Sequence, residues 1–186
     1  MIRRAIVKDI VGIAKLVTQF AERGLMLHRS LEDLYENVRD FHVAVDDEDN
    51  VVGVCGLNVV WGDLAEVYSL AVHHSQQGKG LGSRLVEATI EDARELGIAK
   101  LMSLTYEQRF FERLGFTVVD RMTLPLKVWS ECLNCPKNQA CDEIAMVYHL
   151  DVPSIEAPKP GKPIGSIIEL PVLADDMEHP DVQSES

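Results

Sequence analysis

The chain has 186 residues, 46% of them hydrophobic, and a formal net charge of -12. That size and apolar content suit one buried core, while the charge, broken by no Lys/Arg cluster, argues against a nucleic-acid or anionic-lipid partner. No apolar run approaches the ~20 residues that span a bilayer, the N-terminus lacks a signal-peptide core, and the four cysteines do not form the even framework of a small secreted domain, so a cytoplasmic protein is expected.

Between residues 1 and 150 the apolar period alternates between two and 3.6, the pattern of a mixed α/β fold. Ile2 to Val7 reads as a strand. Ile10, Ile13, Leu16, Val17 and Phe20 then recur at helical spacing up to Arg23-Gly24, a cationic last turn followed by a stop. Ser30 can cap a short second helix carrying Leu31, Leu34, Tyr35 and Val38, with Asp33 three residues on as an imperfect capping box. Phe41 to Val45 and Val51 to Val60 are strands around the turn at 46–50, and Gly62-Asp63 turns the chain into a third strand, Ala65 to Val72, completing an antiparallel meander. A helix from Ser83 to Leu96 stops at Gly97. Lys100 to Thr105 is a strand that must pair beside the meander, Glu107 to Leu114 a short helix ended by Gly115, and Phe116 to Asp120 and Ile144 to Leu150 close the sheet.

Composition changes near Asp151. Six of the eight prolines, and eight acids against two lysines, fall in residues 151–186, so an extended or disordered acidic tail is expected to follow a domain of residues 1–150. Within that tail only Ile164 to Leu173 is apolar enough to dock.

The chemically informative stretch runs from Leu70 to Leu85, where a strand passes through Gln77-Gly78-Lys79-Gly80-Leu81-Gly82 into an amphipathic helix. Glycines let the backbone turn several N–H groups toward one point, and a helix N-terminus adds about half a unit of positive charge. A diphosphate is the guest this arrangement suits. Two familiar nucleotide loops fail on spacing. Lys79 precedes Gly80 instead of following the last glycine, which excludes a Walker loop, and the strict alternation of Gly78, Gly80 and Gly82 excludes the dinucleotide fingerprint.

Gln77, Gly80 and Gly82 match the Gln/Arg-x-x-Gly-x-Gly pattern of the GNAT superfamily of N-acetyltransferases. Phe111-Glu112-Arg113-Leu114-Gly115-Phe116 resembles that family's Phe-Tyr-Glu-Lys-Leu-Gly-Phe, and the likeness extends over residues 1–150. The resemblance implies a mixed, mostly antiparallel central sheet flanked by helices, and acetyl-CoA as acyl donor. It implies the pyrophosphate on amides of Gln77, Gly78, Lys79, Gly80, Leu81, Gly82 and Ser83, with the pantetheine arm antiparallel to Leu70, Ala71 and Val72 where two strands splay. No covalent enzyme intermediate is then needed: the protein orients thioester and amine and steadies the oxyanion through a strand N–H near Leu70. Glu66 is the implied base. The tyrosine that protonates the departing thiolate in the family is replaced by Phe111, which has no exchangeable proton; Tyr106 is the nearest substitute and Tyr68 a second. His73 and His74 read as loop surface residues. A homodimer is also implied.

Three segments together, 24–31, 64–72 and Leu124-Pro125-Leu126-Lys127-Val128-Trp129 with Cys132-Leu133-Asn134-Cys135-Pro136-Lys137, resemble the short, single-domain N-acetylglutamate synthases. That implies L-glutamate as acceptor, with Arg29 clamping one carboxylate and Lys127 the other. The presence of Tyr68, where many members of that branch carry arginine, keeps other amino acids, small amines and a protein N-terminus open as acceptors, and the loss of the tyrosine acid at Phe111 keeps open a catalytically weak acetyl-CoA-binding sensor. Cys132, Cys135 and Cys141 supply three of the four ligands a closed zinc site needs, so reduced cysteines over the acceptor pocket, and no metal, are expected.

Overall fold

Alternation of apolar residues along the strands and the 3.6-residue stripes on the helices direct two sets of side chains toward a shared sheet. The computed structural model describes residues 1–124 and 142–152. Lys127, the cluster Cys132, Cys135 and Cys141, and all but the first two residues of the acidic segment lie outside the described residues. The strands are β1 (Ile2–Arg4), β2 (Phe41–Val45), β3 (Val51–Trp61), β4 (Leu64–Val72), β5 (Lys100–Thr105), β6 (Thr117–Val118) and β7 (Ile144–His149); the helices are α1 (Ile10–Ala21), α2 (Leu31–Glu36), α3 (Leu81–Glu95) and α4 (Gln108–Arg113). They form one mixed seven-stranded sheet in the order β1-β2-β3-β4-β5-β7-β6. Every neighbouring pair is antiparallel except β4 and β5, which run parallel because α3 carries the chain back between them.

One face of the sheet is covered through Ile10, Ile13, Leu16, Val17 and Leu34, which pack on Phe41, Val43 and Val54. The opposite face is covered by α3, whose Leu85, Val86 and Ala93 join Ala65, Val67, Leu101, Phe111 and Met146. Cys55 is fully enclosed there, and burial pushes its thiol up to about 12, which makes it an unreactive core residue.

Of the boundaries that differ from the sequence expectation, three have a clear local reason. The first strand ends at Arg4 instead of Val7, because the Ile6 N–H donates to Asp9 Oδ2 at 2.8 Å and Arg3 grips the same carboxylate at 2.6 and 2.9 Å, drawing Val7–Asp9 into a 3-10 turn. The Arg3 guanidinium holds the Asp9 carboxyl below its ordinary range. Helix α3 starts at Leu81, two residues before Ser83, because Gly80 takes φ 75° and turns the chain early. The expected strand Phe116 to Asp120 contracts to β6, since Phe116 is spent in the core and Asp120 accepts the Met122 N–H at 2.9 Å as a cap. The Ser30 cap forms as expected, accepting from Asp33 N–H at 3.1 Å, but the Asp33 carboxylate turns to Arg29 and Asn37 and does not complete the box. Among the described residues, no helix is long and apolar enough to cross a membrane.

Candidate active site

The parallel ladder between β4 and β5 consists of three pairs among the described residues: Leu64 with Lys100, Ala65 with Leu101, and Glu66 with Met102. Its closed end is clamped by the Lys100 N–H to the Asp63 carbonyl at 2.9 Å and by Lys100 Nζ to the Asp63 carboxylate at 3.0 Å. Beyond Glu66 and Met102 the strands diverge: β4 continues beside β3 and β5 beside β7. The divergence has a local cause. Val54 pairs with Ala71 but Gly56 pairs with Tyr68, so Ser69 and Leu70 together face Cys55 alone, and Ser69 sits at φ 51°. Such a bulge bends and twists its strand. The wedge it opens presents the outer backbone edge of β4 to an extended, amide-bearing arm.

At the open end of the wedge the chain enters the glycine loop. The His73 N–H donates to Val52 at 2.9 Å, and Gln77 Nε2 donates back to the Val72 carbonyl at 2.9 Å, tying the loop to the strand it leaves. Gly78 and Gly80 take φ 74° and 75° with nothing within 4 Å of a built Cβ, so glycine is required there by backbone conformation and not by crowding. Gly80 then opens α3 with no side-chain acceptor for its first-turn amides. First-turn N–H groups of a helix and its dipole favour an anion at such a position.

The remaining expected donor-site residues divide by orientation. Leu70 and Val72 pack toward the α3 core, Ala71 is buried in the α1 core, and Leu81 is buried beneath α3; from each of these the backbone is what can meet a ligand. Gly82 and Ser83 lie in the first turn of α3, and Lys79 Nζ reaches Gln76 Oε1 at 3.4 Å. His73 and His74 stack at 4.1 Å, with His73 Nδ1 and Ser75 Oγ 2.9 Å apart, a loop arrangement outside the wedge. A separate cavity of about 350 Å³, lined by Lys8, Lys15, Asn50, Val51 and His73 among others, lies on the α1 side of the sheet and contains no wedge residue.

Glu66 occupies the last pair of the ladder, at the apex of the wedge. Ala65 and Val67 face α3, so Glu66 and Tyr68 share the other face, with Asn58 opposite Glu66 on β3. The loop between α1 and α2 brings Arg29 onto this face: its guanidinium carbon stands 4.8 Å above the Tyr68 ring and Nη1 lies 3.3 Å from Asp33 Oδ2. Tyr106 follows β5 directly and, counting from the Glu66–Met102 pair, stands roughly level with Leu70 across the wedge. Phe111 is 3% exposed, edge-on to Phe110 and Phe116 at 5.2 and 5.1 Å, so its ring belongs to the core.

Sequence reasoning passed over Asp40. It stands just before β2, accepts the Tyr68 hydroxyl at 3.4 Å, and burial raises its carboxyl above the ordinary range. An acid ahead of a strand reads as a solvated turn, and no spacing signal links it to Tyr68. Among the described residues no group of His, Cys, Asp and Glu stands close enough together to hold a metal ion.

Comparison with known proteins agrees with this geometry. Residues 12–116 match the model of the acetyltransferase (GNAT) family. An uncharacterized N-acetyltransferase of Chlorobaculum tepidum is 40% identical over 149 residues, covering 80% of this chain and 96% of that one. An amino-acid acetyltransferase of Mycobacterium tuberculosis is 35% identical over 70% of this chain and 76% of its own length. Among solved structures, N-acetylglutamate synthase from Neisseria gonorrhoeae complexed with coenzyme A and N-acetyl-glutamate superposes with a TM-score of 0.73 at 30% identity, over 81% of this chain but 35% of that larger one. A Mycobacterium tuberculosis structure in complex with CoA superposes at 0.71 and 30% identity, over 81% of this chain and 99% of that one. With its wedge, glycine loop and seven-stranded sheet, the chain belongs to the GNAT family and is an acetyl-CoA-dependent N-acetyltransferase.

Proposed function

We propose that this enzyme acetylates the α-amino group of L-glutamate. The observation that supports the reading is the common face of Glu66, Tyr68 and Arg29 near the wedge apex, where a carboxylate and a cation share one side of the sheet. The amino-acid acetyltransferase among the relatives and the N-acetyl-glutamate in a superposed structure support it. The pantetheine arm pairs with the outer edge of Leu70 to Val72, and the pyrophosphate meets amides from Gln77 to Ser83. Glu66, directly or through a water, takes the ammonium proton, and the amine attacks the thioester carbon. A strand N–H near Leu70 steadies the oxyanion, the C–S bond breaks, and the sulfur leaves as thiolate or takes a proton from Tyr106. The Tyr68 hydroxyl is directed to Asp40, which favours Tyr106 for that task. Arg29 holds one acceptor carboxylate and Lys127 the other. A domain of residues 1–150 with an appended acidic segment, paired as a homodimer in the cytoplasm, completes the reading.

The test is thiol release from acetyl-CoA over a panel of amino acids and neutral amines. Glutamate is expected to give the highest kcat/KM. Turnover that ignores the side-chain carboxylate would transfer the assignment to another amine, and acetyl-CoA binding with no turnover on any amine would indicate a sensor.

A further inference from the structure

The acceptor face contains an arrangement that the chemistry above does not use, and it rests on the reading that Arg29 receives an acceptor carboxylate. Tyr68 pairs across the sheet with Gly56, and a Cβ built on Gly56 would lie 2.5 Å from Tyr68 Cε1 and 2.7 Å from Cζ. The ring therefore lies down over the backbone of β3, in space that only a missing side chain leaves. Its position is fixed on two further sides: Phe41 packs at 5.3 Å with the planes tilted by 51°, and the hydroxyl reaches Asp40 Oδ2 at 3.4 Å. The Arg29 guanidinium stands above the ring at 4.8 Å, with Nη1 turned to Asp33. Glycine within a strand weakens it relative to alanine, so Gly56 is explained by what it admits.

We propose that Tyr68, seated on Gly56 and anchored by Asp40, is a positioning residue that sets the plane of Arg29 and thereby selects acceptors bearing a carboxylate. An arginine side chain left to itself samples many rotamers, and ordering it on binding opposes affinity. Stacking on an aromatic face settles the plane beforehand, so the N–H edge of the guanidinium is presented in one orientation for bidentate pairing. Asp33 adds a second restraint from α2. The selection therefore belongs to the pair of Tyr68 and Arg29, and not to the cation alone.

The experiment compares the full chain with its Tyr68→Leu and Tyr68→Phe variants, reading steady-state constants and the 15N relaxation of Arg29 Nε. Tyr68→Leu is expected to raise the KM for glutamate roughly tenfold, the scale of a cation–π contact, to lower kcat far less, to leave the KM for acetyl-CoA in place, and to release Arg29 Nε into fast motion. Tyr68→Phe keeps the platform and loses the Asp40 tie, so a smaller rise in KM is expected. An unmoved glutamate KM, or an Arg29 that stays ordered in Tyr68→Leu, would overturn the inference. If the parent chain turns over no carboxylate-bearing amine, the assigned acceptor falls, and the relaxation arm still decides whether Tyr68 fixes Arg29. If Tyr68→Leu fails to fold, Tyr68→Phe decides: an unmoved glutamate KM overturns the role of the Asp40 anchor.

Discussion

Gly80 offers the sharpest test of where the diphosphate binds. Its φ of 75° is one that L side chains adopt at a cost of roughly 1–2 kcal/mol, and a Cβ there meets nothing within 4 Å, so Gly80→Ala changes the backbone energy alone. If the loop must keep that conformation to present its amides, the dissociation constant for CoA rises about five- to thirtyfold. Gly80→Asp incurs a similar backbone cost, since Asp tolerates the left-handed region better than most residues, and its carboxylate at the positive end of α3 is not itself destabilising. What it adds is repulsion. A carboxylate about 5 Å from a phosphate at an effective dielectric near 20 contributes on the order of 3 kcal/mol, about half that after screening by salt. The Asp variant should therefore bind CoA some tenfold or more weakly than the Ala variant at equal melting temperature, with the gap narrowing as salt increases. Isothermal titration calorimetry with CoA measures both. Equal affinities for the two variants, or an Asp variant indistinguishable from the parent, would mean that the loop does not face the diphosphate.

Two further predictions draw on the apex and the core. Glu66→Gln removes the proposed base while keeping the strand, so turnover at neutral pH should fall about a hundredfold with CoA affinity unchanged in calorimetry; full activity would reassign the base. His42, 7% exposed, is held below its ordinary titration range chiefly by burial, against the pull of Asp92, with Arg4 from β1 and Glu95 from α3 also acting on it. The native state then binds fewer protons than the unfolded chain just below the ordinary value near 6.5, so its contribution is present above that pH and lost as pH falls through it. Thermal melts between pH 7.5 and 5 should lose stability more steeply for the parent than for His42→Gln, and parallel curves would show that His42 is not the group responsible.

The elements that could be read from the sequence are those whose periodicity and packing agree. The stripe Ile10, Ile13, Leu16 and Val17 is buried as its spacing requires, and the meander from Phe41 to Val72 follows its turns. Ile6 and Val7 look like strand yet are exposed, because one carboxylate, Asp9, outcompetes the ladder for the Ile6 N–H. The glycine loop was legible because its backbone conformation demands glycine, and the lack of a hydroxyl at Phe111 was visible in the residue itself. The splayed strands were expected through the family resemblance alone, and their local cause was not legible, since it depends on Ser69 adopting a conformation that no propensity assigns to serine in a strand. Nor was the Tyr68 stack, which joins Arg29, Asp40, Gly56 and Tyr68 from four separate stretches of chain.

With so short a ladder between β4 and β5, the two flanks of the sheet are held in register mainly by oily side chains. Leu85 and Val86 of α3 share one core with Ala65 and Val67 from one flank and with Leu101 and Met146 from the other. The helix that follows the glycine loop is thus also the rivet across the gap. Trimming that rivet, by Leu85→Ala for instance, would alter how far the jaws stand apart, so the width of the wedge depends on hydrocarbon volume on the far side of the sheet.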